Sequence, residues 1–350
     1  MIWNLQYLRG IAALMVVIFH VTDSAGRLGG TVDLPHFALG FVGVDLFFVL
    51  SGFIICVTTR SGAAGRPVSF LERRILRVVP PYWILTALLA NAAVLFPGLM
   101  GSTVFEPAHA LASFAFWPAL HPTLDLYNPL LVVGWTLNYE MAFYALFALA
   151  LVLPRRVQVP AALAALVLVA LVGRILRPGG VAGFYTDPVI LEFALGLVVG
   201  MIYASGLRLP RRACLAFLAA GILLMAGAEE ANRLPTAGLP AAMIVLGAVF
   251  LERASGPLRL PVMGLLGDAS YAIYLVHLPV LPVVQIVWRQ AGIGAEGGTA
   301  LLYVGAAVLA CTLAGILFHL LIEAPLGRLL RPRPASASNA KPQAMPRLAA

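Results

Sequence analysis

Arg9 and His20 bracket the first apolar stretch of the chain, and their spacing of eleven residues brings both side chains to nearly the same helical face, about 16 Å apart along the axis. An imidazole inside "RGIAALMVVIFH" is costly to hold in hydrocarbon, so it reads first as a functional group; the plainer reading is a hydrogen bond to a neighbouring helix. Asp45, Glu140 in "GWTLNYEMAFYALF" and His277 in "DASYAIYLVHLP" also lie inside apolar runs. Imidazoles and carboxylates are the usual acids and bases of catalysis, and a shared polar cavity is the least costly way to keep four of them in a membrane. Ser270, Tyr274 and His277 recur at i, i+4 and i+7, one stripe of a helix, while Asn138 and Tyr139 precede Glu140 as hydrogen-bonding groups. Each of these residues taken singly could instead tie one helix to another.

A second element is basic. Arg74 and Arg77 are three apart and face the same way, whereas Arg73 points aside. Paired guanidinium forks grip phosphate oxygens bidentately, although a basic cluster at a membrane edge also binds lipid headgroups. An anion site at one edge and an acid-base site deeper in suggest a phosphorylated donor docked from the cytoplasm, its reactive end reaching inward.

These residues need a membrane bundle to position them. The 350 residues are 61% hydrophobic and 11% charged, and the mean hydropathy of +0.95 is too high for a soluble fold. The sequence predicts an all-α polytopic membrane protein with spans near 5–24, 37–58, 79–97, 128–153, 157–174, 186–205, 212–228, 236–251, 264–288 and 299–321. Ten spans put both termini on one side. With that side cytoplasmic, eighteen of the twenty-three Arg and Lys residues face inward and only Arg27, Arg174, Arg177, Arg233 and Arg289 face out. Topology thus accounts for the net charge of +8, and no nucleic-acid partner is expected. The first helix is read as retained rather than as a cleaved signal peptide, because little charge precedes it and a His closes its apolar run.

The cytoplasmic connection near 59–78 ends in "FLERRILRVVPPYW", a short amphipathic helix leading into the third span with Pro80 and Pro81 in its first turn. The external connection near 98–127 holds Glu106, His109, His121 and Asp125 and reads either as an acceptor entrance or as a polar cap. Cys56, Cys214 and Cys311 lack metal-ligand spacing, and no metal is expected. Residues 1–330 form the membrane domain, and the Pro-, Ala- and Ser-rich 331–350 read as a disordered cytoplasmic tail.

Six stretches in order, "LRGIAALMVVIFH", "FVGVDLFFVLSGFII", "FLERRILRVVPPYW", "GWTLNYEMAFYALF", "SYAIYLVHLPV" and "IEAPLGRLL", resemble the integral-membrane acyltransferase family 3, in particular its exopolysaccharide O-acetyltransferase branch. The resemblance implies a ten-helix bundle of the bacterial inner membrane that moves an acyl group, usually acetyl from acetyl-CoA, onto a glycan hydroxyl. It implies a catalytic set of His20, Asp45, Glu140 and His277, donor-binding Arg9, Arg74 and Arg77, and supporting Ser270 and Tyr274; the adjoining Arg73 and Asn138 are added to the donor-binding and supporting groups from their place in the sequence. Many relatives carry a second acidic residue where this chain has Met141, and some carry a fused extracytoplasmic domain, which is not expected in this chain. On this reading Arg74 and Arg77 hold the phosphates of coenzyme A. His20, oriented by Asp45 or Glu140, takes the acceptor's proton or carries the acyl group itself. The bilayer, a lipid-linked or polymeric glycan and a polysaccharide export complex are the expected partners. The rival readings are a transporter or flippase with a buried proton relay, which would need no acyl donor, and a non-catalytic scaffold.

Overall fold

Backbone in hydrocarbon must satisfy its own N–H and C=O groups, and the apolar stretches accordingly become helices. The computed structural model describes residues 2–26, 37–60, 66–99, 101, 103–293 and 298–330, among which there is no strand. The tail 331–350 lies outside the described residues. The helices are α1 (Trp3–Gly26), α2 (Val42–Arg60), α3 (Pro67–Leu95), α4 (Pro107–Phe114), α5 (Trp135–Ala150), α6 (Arg155–Leu176), α7 (Gly180–Tyr185), α8 (Leu191–Ala204), α9 (Arg211–Met225), α10 (Leu239–Ser255), α11 (Pro261–Asp268), α12 (Ser270–Gln290), α13 (Gly298–Phe318) and α14 (Ala324–Leu329). Eight helical stretches are long and apolar enough to cross a membrane. Two more apolar helices, α5 and α9, are shorter, at 16 and 15 residues.

Three boundaries differ from the sequence reading: α5 begins at Trp135 rather than near 128, α11 and α12 divide the span read as 264–288, and the third span starts earlier than expected. The amphipathic segment and the third span are a single 29-residue helix, α3, with Pro80 and Pro81 in its interior rather than at a first turn. Proline brings no amide hydrogen, so the carbonyls of Leu76 and Arg77 lose their donors four residues on. The stretch bearing Arg74 and Arg77 is therefore joined to the rest of α3 through a weakened turn.

Helix α1 is the axis of the bundle, packed against α2, α10, α11, α12 and α13. Ala12, Ala13, Val17 and Val21 on it have no exposed surface. Small residues let helices approach where the apolar solvent gives no net drive to associate. A Cβ on Gly196 would stand 2.1 Å from the carbonyl oxygen of Val49, and one on Gly52 would stand 2.2 Å from that of Phe193. Helices α2 and α8 thus meet backbone to backbone, fixing Asp45 and Glu192 on facing walls. Two π-helical turns interrupt the regular winding, Leu234–Gly238 ahead of α10 and His319–Glu323 between α13 and α14.

Candidate active site

Helices α1, α2, α3, α5 and α12 enclose a cavity of about 110 Å³, room for several waters, whose wall carries Arg9, Arg74, Arg77, Glu140, Tyr144, Ser270 and Tyr274. Arg9 donates to Gln6 Oε1 at 2.9 Å, with Arg77, Glu140, Asp268 and Glu323 as its charged surroundings. Arg74 lies half-buried, its guanidinium 5.6 Å above both the Phe70 and Tyr144 rings, a cation–π arrangement that holds the fork toward the cavity. Arg77 is exposed at the rim, and Arg73, also exposed, does not line the wall. Helix α3 thus separates the arginines as the three-residue spacing requires.

Glu140 stands on this arginine-bearing wall, where Ser51 donates to it at 3.3 Å and the Tyr144 hydroxyl also donates to it. Four residues further along α12 from Ser270, the Tyr274 hydroxyl donates to the Val133 carbonyl at 3.0 Å and bonds the Thr136 hydroxyl at 2.9 Å. The next turn brings His277, fully buried with neither ring nitrogen hydrogen-bonded, and its ring stacks on that of His20 with centroids 5.1 Å apart. Tyr274 bridges the two regions: it lines the cavity, and its ring centroid is 6.0 Å from that of His277.

Of the four embedded ionisable residues, Glu140 alone lines this cavity. Glu140 belongs with the arginines, and His20 pairs with His277 beyond Tyr274. Asp45 is engaged by Arg233, receiving its Nε and Nη2 at 2.8 and 2.9 Å. Asn138 is buried with neither side-chain atom hydrogen-bonded, and Ser270 donates to the Gly267 carbonyl at 2.8 Å. Sequence reasoning placed Arg233 in a loop and passed over Glu192. The available signal was a carboxylate near the start of the apolar run "ILEFALGLVVG". Glu323 of the last sequence stretch takes part in a contact with His319, Nδ1 to Oε2, at 2.8 Å.

The connection between α3 and α5 is packed rather than open. His109 and His121 are each 3% exposed, with ring centroids 5.1 Å apart, while Glu106 and Asp125 face solvent. His109 Nε2 donates to the Asn128 carbonyl at 2.8 Å, and the Thr123 amide donates to His121 Nδ1 at 3.3 Å. These contacts favour the cap over the entrance. Burial, and next the neighbouring His109, lower the pKa of His121 below the ordinary imidazole value. The unfolded state therefore takes up this proton first on acidification. The stability this loop contributes is complete above about pH 6.5 and is lost as pH falls below it. Thermal unfolding between about pH 5 and 8 is expected to show a midpoint that drops on the acid side, and to drop less in His121→Asn. Equal slopes for the two proteins would contradict the assignment.

Among the described residues no group of three or more His, Cys, Asp or Glu is placed to hold a metal ion. A family model described as "Acyltransferase domain" matches residues 2–319. The chain is 38% identical over 327 residues to the exopolysaccharide production protein ExoZ of Rhizobium meliloti (strain 1021), covering 92% of this chain and 98% of that one. It is 30% identical over 300 residues to the putative membrane-bound transacylase BcsY of Komagataeibacter xylinus, covering 80% and 73%. It is 28% identical over 386 aligned positions to the acyltransferase MdmB of Streptomyces mycarofaciens, covering 96% and 94%. No solved structure matches the chain.

Proposed function

Because the chain belongs to the integral-membrane acyltransferase family 3, matched from residue 2 to 319, we propose that it moves an acetyl group from acetyl-CoA onto a hydroxyl of a cell-surface or exported glycan. The membrane is the bacterial inner membrane, and the arginine-bearing end of the bundle faces the cytoplasm, in keeping with the alternation of basic loops. The observation that carries the reading is the cavity itself. Its wall bears three guanidinium groups, and Tyr274 on that wall borders the His20–His277 pair.

Arg9, Arg74 and Arg77 fit the phosphates of coenzyme A, whose anionic oxygens are best held by planar forks. The pantetheine arm follows the cavity between α2, α5 and α12 and presents its thioester toward the histidines. His20 accepts the proton of the acceptor hydroxyl as its oxygen attacks the thioester carbonyl. The carbon–sulfur bond then breaks, and the departing thiolate recovers a proton from the imidazolium. His277 stacks on His20 and fixes the plane in which its ring is presented. Glu140, bonded by Ser51 and Tyr144, supplies negative charge that offsets the mutual repulsion of the arginines before the donor arrives.

Membranes containing the chain, given acetyl-CoA labelled in its acetyl group, are expected to transfer label to the glycan fraction, with ester acetate found by mass spectrometry after mild base release. Glycan acetylation that is the same with and without the chain would overturn the reading.

A further inference from the structure

Asp45 on α2 and Glu192 on the first turn of α8 have no exposed side-chain surface, and a single guanidinium, that of Arg233, serves both. Arg233 is spent on Asp45 through two parallel bonds of 2.8 and 2.9 Å. From Glu192 Oε1 its Nε stands 3.9 Å away, too far for a hydrogen bond, and neither Glu192 oxygen has a partner. The π-helical turn closes the site from above, since a Cβ on Gly238 would stand 3.0 Å from Glu192 Cγ. Facing the two carboxyl groups are Arg233, Asp187 ahead of α8 and Tyr139 on α5, with Glu230 beside Arg233.

With both carboxyl groups ionised, this dry site would hold two negative charges against one positive, with two acceptor oxygens unsatisfied; buried charge is tolerated only when paired and hydrogen-bonded. One proton removes both faults. It neutralises the surplus charge and turns Glu192 from an orphan acceptor into a donor, with the Asp45 carboxylate, which retains free lone pairs, as the acceptor opposite. We propose that Glu192 is a neutral carboxylic acid donating its proton to Asp45, so that Asp45, Glu192 and Arg233 form a charge-balanced clamp joining α2, α8 and the turn before α10.

The clamp is a positioning device. Arg233 also lies 5.4 Å above the Phe41 ring and 5.6 Å above that of Trp135, the first residue of α5, whose following turns carry Asn138 and Glu140. Loss of the proton sets a second carboxylate competing for Arg233, so the hold on α5 weakens as pH rises. The clamp is independent of the donor and acceptor proposed above.

The test uses the full chain in lipid nanodiscs. Infrared spectra are expected to contain a protonated-carboxyl band that shifts in deuterated water and is lost in Glu192→Gln. The amide keeps a neutral donor toward Asp45, so this variant is expected to fold and to retain the thermal midpoint of the parent. The parent's midpoint falls on the alkaline side and that of Glu192→Gln does not, while Glu192→Ala, lacking any donor, has a lowered midpoint throughout. A Glu192→Gln protein that keeps the band, misfolds, or is as unstable as Glu192→Ala would overturn the clamp.

Discussion

Replacing His20 by alanine leaves a folded protein whose acyl transfer falls about 10²–10⁴-fold, the range expected when a positioned proton acceptor is removed. The fold survives because α1 is held by Ala12, Ala13, Val17 and Val21, all fully buried, while His20 is partly exposed. Rate and amount of folded protein therefore separate. The measurement is the initial rate at saturating acetyl-CoA, normalised to monodisperse protein, and the loss appears in kcat with little change in the KM of the donor. His20→Gln, which keeps hydrogen bonding but cannot take the proton, behaves like alanine. Transfer retained in both variants would remove His20 from the chemistry and leave the stack on His277 as a packing contact.

The second large effect is on donor affinity. Arg74→Ala and Arg77→Ala are each expected to raise the donor KM about 10- to 100-fold, corresponding to the roughly 1.5–3 kcal/mol of a hydrogen bond to a charged group. Turnover at saturation changes little, because neither side chain reaches past the cavity to the histidines. Lysine at 77 restores part of the affinity and lysine at 74 restores less, since Arg74 also stacks on Phe70 and Tyr144, which an ammonium on a flexible stem does not reproduce. Arg73→Ala, off the cavity wall, serves as the comparison and is expected to show the smallest rise. Steady-state kinetics across acetyl-CoA concentrations decide the matter, and equal KM values for all three alanine variants would mean that the arginines meet lipid instead of donor.

The helices were legible in the sequence because hydrocarbon imposes a length and a composition on whatever crosses it, and the arginine spacing was legible because three residues is nearly one helical turn. Pro80 and Pro81 misled because a proline pair marks a first turn when only neighbours are considered. Packing against α5 and α12 carries α3 through it. Asp45 misled for a different reason. Depth along a helix says how far a carboxylate lies from the interface but not which way it points, and its partner lies 188 residues away in a segment read as a loop. His20 and His277 carried enough information to be grouped, since two imidazoles at similar depth have few other ways of being accommodated. Their stacking, and the position of Tyr274 between them and the arginines, depend on helix rotation, which periodicity leaves undetermined.

In the inner membrane proposed above, which stores an ion gradient, a continuous thread of water is not tolerated, and Tyr274 stands between the arginine-bearing cavity and His277. Its hydroxyl is bound to Val133 and Thr136, and His277 beyond it has no exposed surface. On the proposed reading, a donor arm passing from the arginines to His20 displaces this stopper for one turnover and lets it return, so the bilayer keeps its electrical resistance while the protein works. Swapping Tyr274 for a smaller residue would then harm the host in a way unrelated to how much glycan it modifies: as a leak.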